Sequence, residues 1–163
     1  MNPTIAPSAP ATTTPATSRY VVPGRPTRWI VNPIISGLVT LGLPLKGARV
    51  LRVRGRSTGE WRTVPVNPLT LDGEQFLVAP RGETQWVRNL RVAGGGELRR
   101  GRRSQPFTAV ELDDSAKPIV LRAYLEQWAW EVGAFFAGVG ADSADDDLAR
   151  IAADHPVFRI MPA

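Results

Sequence analysis

Six residues near the middle of this chain, Gly55-Arg56-Ser57-Thr58-Gly59-Glu60, gather two glycines, two hydroxyls and an arginine into one bend, with Arg54 just before it and Arg62 just after. Guanidinium forks and clustered amide donors both match the oxygens of phosphate and carboxylate groups, so the bend suits an anion. It is not a P-loop, because the Gly-Lys-Ser/Thr ending that reaches nucleotide phosphates and magnesium is missing. The chemistry this pattern implies is the holding of an anionic cofactor.

Other chemistries fall away. Cysteine is absent, which excludes thiol nucleophiles, disulfides and thiolate metal sites, so redox work needs an imported cofactor. The single histidine, His155, argues against a histidine metal site or a Ser-His-Asp relay, and beside Pro156 it reads as structural or surface. Glu126 and Glu131, five apart on a helix, face different directions and make no catalytic pair. Asp145-Asp146-Asp147 lacks the alternating ligands and glycine of a calcium loop and reads as a solvated helix start favoured by the macrodipole. No metal site is expected, and no side chain is nominated as catalytic.

The net charge of +5 hides an asymmetry. Residues 1–110 hold 16 basic and 5 acidic side chains, against 4 and 10 in residues 111–163. Eighteen of the twenty basic residues are arginine, which favours bidentate recognition over diffuse attraction, although a high-GC coding sequence would produce the same bias.

The elements that must position the bend read as mainly β. Strands over 48–54 and Arg62–Leu71 flank it, Asp72-Gly73 turns the chain into a strand over 75–79, and a further hairpin spans 97–100 and 102–112 around Gly101. Between them Thr84 can cap a short helix carrying Trp86 and Leu90 on one face, ended by Gly94-Gly95-Gly96. After this small antiparallel barrel come a helix over 117–137, with Leu121, Leu125, Trp128, Val132, Phe135 and Phe136 as its stripe, and a helix over 147–153 with Ser143 and Asp146 as capping box. Val157 to Ile160 reads as a last strand.

Residues 1–25 open with uncharged Pro, Thr, Ala and Ser and read as a disordered leader, leaving 26–163 as one domain. The leader lacks the basic start and apolar run of a secretory signal. Seventeen uncharged residues, Trp29 to Leu45, are broken by Pro33, Gly37, Gly42 and Pro44. They read either as a helix capping the core or as an interfacial segment, with residues 25–46 meeting an anionic membrane surface through Arg25, Arg28 and Lys46. A cytoplasmic protein, peripheral on the inner face of the plasma membrane in the second case, is expected.

The run Gly55 to Pro65, then Phe76-Leu77-Val78-Ala79-Pro80-Arg81-Gly82, then Trp86-Val87-Arg88-Asn89-Leu90 resembles the deazaflavin-dependent nitroreductase and quinone reductase family of actinobacteria. The likeness covers roughly residues 28–112. It implies a split β-barrel of FMN-binding-like type with flanking helices, an α+β fold, and it implies coenzyme F420, whose tail carries a phosphate and glutamates. By the same resemblance Arg56, Ser57, Thr58, Gly59 and Arg62 would clamp that tail. Val64, Pro65 and Val66 would run along the deazaflavin ring, Ala79, Pro80 and Arg81 match the stretch beside it, and Trp86, Asn89 and Leu90 match the helix that closes on it.

The chain departs from the family pattern at Ser57, where lysine is usual, and at Pro80, where a serine is usual. The tyrosines on which known activities rely have no match, and Tyr124, Trp128 and Trp130 read either as core or as pocket lining. The implied activity is hydride transfer from reduced deazaflavin to a small hydrophobic acceptor: a quinone, an enone or a nitroaromatic. The alternatives are a non-catalytic barrel binding F420, FMN, FAD or haem, with His155 the sole imidazole for haem, or a basic nucleic-acid-binding barrel. Nucleic acid is not expected, because Trp61, Phe76 and Trp86 do not interleave with arginines along one strand face.

Overall fold

The computed structural model describes residues 47–163. The leader expected over 1–25 and the segment over 25–46 lie outside the described residues. The described residues form seven strands: β1 (Arg49–Arg54), β2 (Trp61–Val66), β3 (Pro68–Leu71), β4 (Glu74–Val78), β5 (Gly95–Arg100), β6 (Arg103–Glu111) and β7 (Val157–Pro162). They form one antiparallel sheet in the order β2-β1-β5-β6-β7-β4-β3.

β2 and β3 are the opposite edges of this sheet, yet only Asn67 separates them in the chain. Two Cα steps reach less than about 8 Å, so the sheet must curl until its edges meet at that corner. The result is the split barrel, mainly β with helices flanking it. Asn67 also breaks the single strand expected over Arg62–Leu71, and the reason is topological: one side of the break pairs with β1, the other with β4.

Alternation along the strands sorts the apolar residues into two cores. Leu51, Val53, Leu77, Leu98, Phe107, Phe158 and Ile160 face inward, where Trp86, Val87 and Leu90 of helix α1 (Gln85–Ala93) pack on them. Leu69, Phe76, Val78 and Val157 face outward and are covered by α2 (Lys117–Val132) and α3 (Asp145–Ile151). On α2 the buried residues Lys117, Leu121, Tyr124, Leu125, Trp128 and Val132 follow the 3.6-residue period, and Pro118 sits in its first turn, where its missing N–H costs no bond.

Local chemistry fixes most of the joints. Asp72 and Gly73 both have positive φ (50° and 81°), the type I′ turn that matches strand twist. Gly94 ends α1 in the left-handed region. Gly95 and Gly96, expected to end the helix too, instead begin β5: a Cβ on Gly95 would collide with the Phe107 carbonyl, and one on Gly96 would sit 2.5 Å from Arg52 O. The helix expected to reach residue 137 ends at Val132, and one 3₁₀ turn over Gly133–Phe135 follows. The expected capping box does not form. Ala144 precedes α3, Ser143 Oγ accepts the Gly140 N–H (3.0 Å), and Arg122 staples this loop through Ala141 O, Ser143 O (2.9 Å) and Asp145 Oδ1 (2.7 Å).

Candidate functional site

The bend between β1 and β2 is closed by Gly55 N–H to Glu60 O (2.8 Å) and Gly59 N–H to Gly55 O (2.7 Å). Gly59 adopts φ +69°, and Thr58 Oγ1 accepts the Glu60 N–H (3.3 Å). The amides of Ser57 and Thr58 make no hydrogen bond among the described residues, and both side chains are exposed. Such a bend leaves donors pointing at solvent, where an anion can collect them.

Arg56 ties the bend to α1. Its main-chain N–H and its guanidinium both donate to Asn89 Oδ1 (3.2 and 3.0 Å), and the guanidinium also donates to Gln85 Oε1 (2.9 Å). The two amides stand one helical turn apart, so they face the same way. Because both partners are neutral, Arg56 keeps its full charge beside the bend. The first turn of α1 holds no acidic side chain, which preserves the favourable helix end for an anion.

Strand register sends the flanking arginines to opposite faces. Arg62 pairs with Val53 and so lies on the inward face, in line with Val64 and Val66; Arg54 pairs with Trp61 and lies outside. Arg54 donates to Gly59 O (3.0 Å), and the Trp61 ring carries the guanidiniums of Arg54 and Arg52 at 4.1 and 4.6 Å. These outer cations share one face of the β1–β2 pair with a single aromatic ring. Arg62 has one ion partner, Glu60, at 3.4 Å and well exposed.

The loop from β4 to α1 forms the second part. Ala79 N–H donates to Pro156 O (2.9 Å), while Ala79 O accepts the Gly82 N–H (3.0 Å) and faces His155 Nδ1 at 3.4 Å. His155 is 5 % exposed, its ring stacks on Phe136 at 4.2 Å, and burial, the largest cause, lowers its pKa below 6.5. Arg81 lies over the Phe135 ring (4.8 Å). Pro80, Arg81, Phe135, Asp154 and His155 line a small cavity of about 30 Å³.

The fourteen residues nominated from sequence thus divide. Arg56, Ser57, Thr58, Gly59 and Arg62 are exposed in and after the bend; Val64, Pro65, Pro80 and Arg81 are half-buried; Val66, Ala79, Trp86 and Leu90 belong to the inner core, with Trp86 5.9 Å from Phe158. Asn89 is buried, and its contacts are to Arg56. Tyr124 and Trp128 are core as well, and burial pushes the Tyr124 phenol up. Sequence reasoning missed Gln85 and the Arg81–Phe135 contact. The Gln85/Asn89 spacing was a signal for the first, whereas nothing local announced the second. Among the described residues no group of His, Asp and Glu could hold a metal ion.

The bend fits a phosphate with a carboxylate tail: among the described residues Arg54 and Arg56 have no carboxylate partner, Arg62 has a weak one, and the Ser57 and Thr58 amides make no hydrogen bond. The sequence profile of the family described as F420H(2)-dependent quinone reductase matches residues 29–133. Among solved structures, an F420-H2 dependent reductase (FDR-A) superposes with a TM-score of 0.51 at 17% identity, covering 71% of this chain and 95% of that one. Atu2129 of Agrobacterium tumefaciens, of unknown function, gives 0.54 at 13% identity over 87% and 57% of the two chains. The haem storage protein HutZ of Vibrio cholerae gives 0.50 at 11% identity over 80% and 89%. At these identities the likeness is one of fold. No curated protein matches the sequence.

Proposed function

This chain belongs to the F420H(2)-dependent quinone reductase family, and from that premise we propose that it is a deazaflavin-dependent oxidoreductase whose acceptor is a quinone, an enone or a nitroaromatic compound. When bound, reduced F420 supplies the hydride. The chain's own residues bind, orient and shield. Arg56 and Arg62, with the amides and hydroxyls of Ser57 and Thr58, would hold the phosphate and acidic tail at the bend; Arg54 adds charge from the outer face. Val64, Pro65 and Val66 lie on an edge strand, where proline is tolerated and main-chain groups stay open to a ring. Pro80 and Arg81, half-buried at the surface beside that small cavity, would border the acceptor. Pro80 offers neither hydroxyl nor amide donor, so product protonation falls to solvent.

The observation that carries the reading is the pairing of a family match with a bend whose cations lack strong internal partners. A haem reading fares worse, because the one imidazole is stacked on Phe136 with Nδ1 directed at Ala79 O. FMN and FAD present the same phosphate chemistry, so titration must separate them. No described helix is long and apolar enough to cross a membrane.

The test is fluorescence titration of the full chain with F420 and FMN, followed by oxidation of reduced F420 against the three acceptor classes. Saturable F420 binding with turnover on one class supports the proposal. Absence of F420 binding by folded protein would sink it.

A further inference from the structure

Fifteen arginines lie among the described residues, and seven of them, Arg52, Arg62, Arg88, Arg91, Arg122, Arg150 and Arg159, face a carboxylate. The largest group without one is the β5–β6 hairpin, where Arg99, Arg100, Arg102 and Arg103 surround Gly101. None of the four side chains makes an ion pair or hydrogen bond among the described residues, and the Arg99 Nε is buried without a partner. Gly101 has φ +59° and opens a two-residue turn that sets Arg100 directly opposite Arg103. Like charges facing one another across a ladder are destabilising. Arg49, lowered in pKa by burial first and by Arg100 second, crowds the same end of the sheet.

This tip cannot serve the bend that holds the cofactor. Val50 pairs with Arg99, so the tip stands at the start of β1 and the bend at its finish. Five residues of strand separate them, roughly 16 Å. The two basic clusters occupy opposite ends of the β1–β5 pair.

We propose that the Arg99–Arg103 tip is a docking surface for anionic lipid headgroups. Four guanidiniums spread over a convex turn, with no walls to enclose a small ion, match a layer of charge rather than one molecule. Residues 97–106 contain no aromatic side chain, which disfavours single-stranded nucleic acid, since such sites stack bases on rings. The chain leading into β1 carries Lys46 immediately before Gly47 and, earlier in the sequence, the uncharged stretch Trp29 to Leu45, so an apolar stretch adjoins this end covalently. The surface is independent of the hydride-transfer reading, and its test needs no cofactor.

The full chain is sedimented with phosphatidylcholine vesicles, with and without phosphatidylglycerol, and compared with the triple variant Arg100→Gln, Arg102→Gln, Arg103→Gln. The parent is expected to follow only the anionic vesicles. The variant should bind about a hundredfold more weakly, each basic residue near such a surface contributing about a factor of five. Arg102→Glu alone, at the solvent-facing turn, covers the case in which the triple variant misfolds and should weaken binding at least fivefold. Undiminished sedimentation of either folded variant, or failure of the parent to bind anionic vesicles, overturns the proposal. Tip-dependent retention of a single-stranded oligonucleotide without vesicle binding would reassign the surface to nucleic acid.

Discussion

Asn89 Oδ1 accepts two hydrogen bonds from one residue, the main-chain N–H and the guanidinium of Arg56. A single buried amide therefore fixes both the backbone of the β1–β2 bend and the cation beside it. Removing the amide leaves the Arg56 N–H without a partner and the bend tied to α1 only through Gln85.

Asn89→Ala is accordingly expected to cost about 1 kcal/mol, the usual loss for part-buried hydrogen bonds, and to weaken F420 binding through loss of order in the bend. Thermal unfolding and fluorescence titration measure the two effects. Asn89→Asp retains an acceptor and should recover most of the stability. Equal affinity in the alanine variant would remove Asn89 from any positioning role.

Arg62 and Glu60 should behave as opponents. Arg62→Ala is expected to weaken the cofactor tenfold or more, as for loss of a charge-assisted contact. Glu60→Gln frees Arg62 from its exposed partner and removes a negative charge from the bend, so affinity should rise, by less than tenfold because the pair is solvent-screened. Both effects should shrink in high salt. A fall in affinity for Glu60→Gln would show that Glu60 helps to shape the bend.

Local grammar made much of the fold legible before any coordinates. Asp72-Gly73 announced its turn, Gly94 its cap, and the α2 stripe its buried face, because each depends on residues within a few positions. The break at Asn67 was invisible, since it arises from the sheet curling until its edges meet. The bend was readable as a tight, arginine-bearing turn from its residue types, but its attachment to α1 joins residues 33 apart in sequence through Arg56 and Asn89. Trp86 and Leu90 carried a family signature that could mean contact or core, and burial places them in the core.

Gly96 gives a test of the curl itself. Its Cα lies so near β1 that a Cβ would stand 2.5 Å from the Arg52 carbonyl oxygen, a backbone atom that cannot swing aside. Gly96→Ala must push β1 from β5, and about 1–3 kcal/mol or more should be lost, as for overpacking elsewhere. Gly138→Ala has open space around its Cβ but φ +82°, so it should cost only about 1 kcal/mol from backbone strain. Chemical denaturation of both variants checks the order. Equal costs would show that the β1–β5 approach is not tight.

His155 should make stability pH-dependent, and the sign follows from its surroundings. Burial lowers its pKa most and nearby Lys117 lowers it further, while contacts to Ala79 and Pro80 main chain and the charge of Asp154 oppose them without prevailing. The unfolded chain therefore takes up a proton near pH 6.5 while the folded chain resists it. Linkage then makes this contribution complete above that pH and lost as the pH falls through the depressed folded value. The unfolding temperature should accordingly drop on going from about pH 7 to pH 5.5, before most carboxylates titrate. His155→Phe keeps the stack on Phe136, abolishes this acid limb, and leaves Ala79 O with the Gly82 N–H alone, so it should also melt lower at pH 7. Because Ala79 anchors the loop carrying Pro80 and Arg81, the same variant should alter KM for the acceptor more than affinity for F420. An acid limb that survives in His155→Phe would assign the titration to another group and remove His155 from the control of that loop.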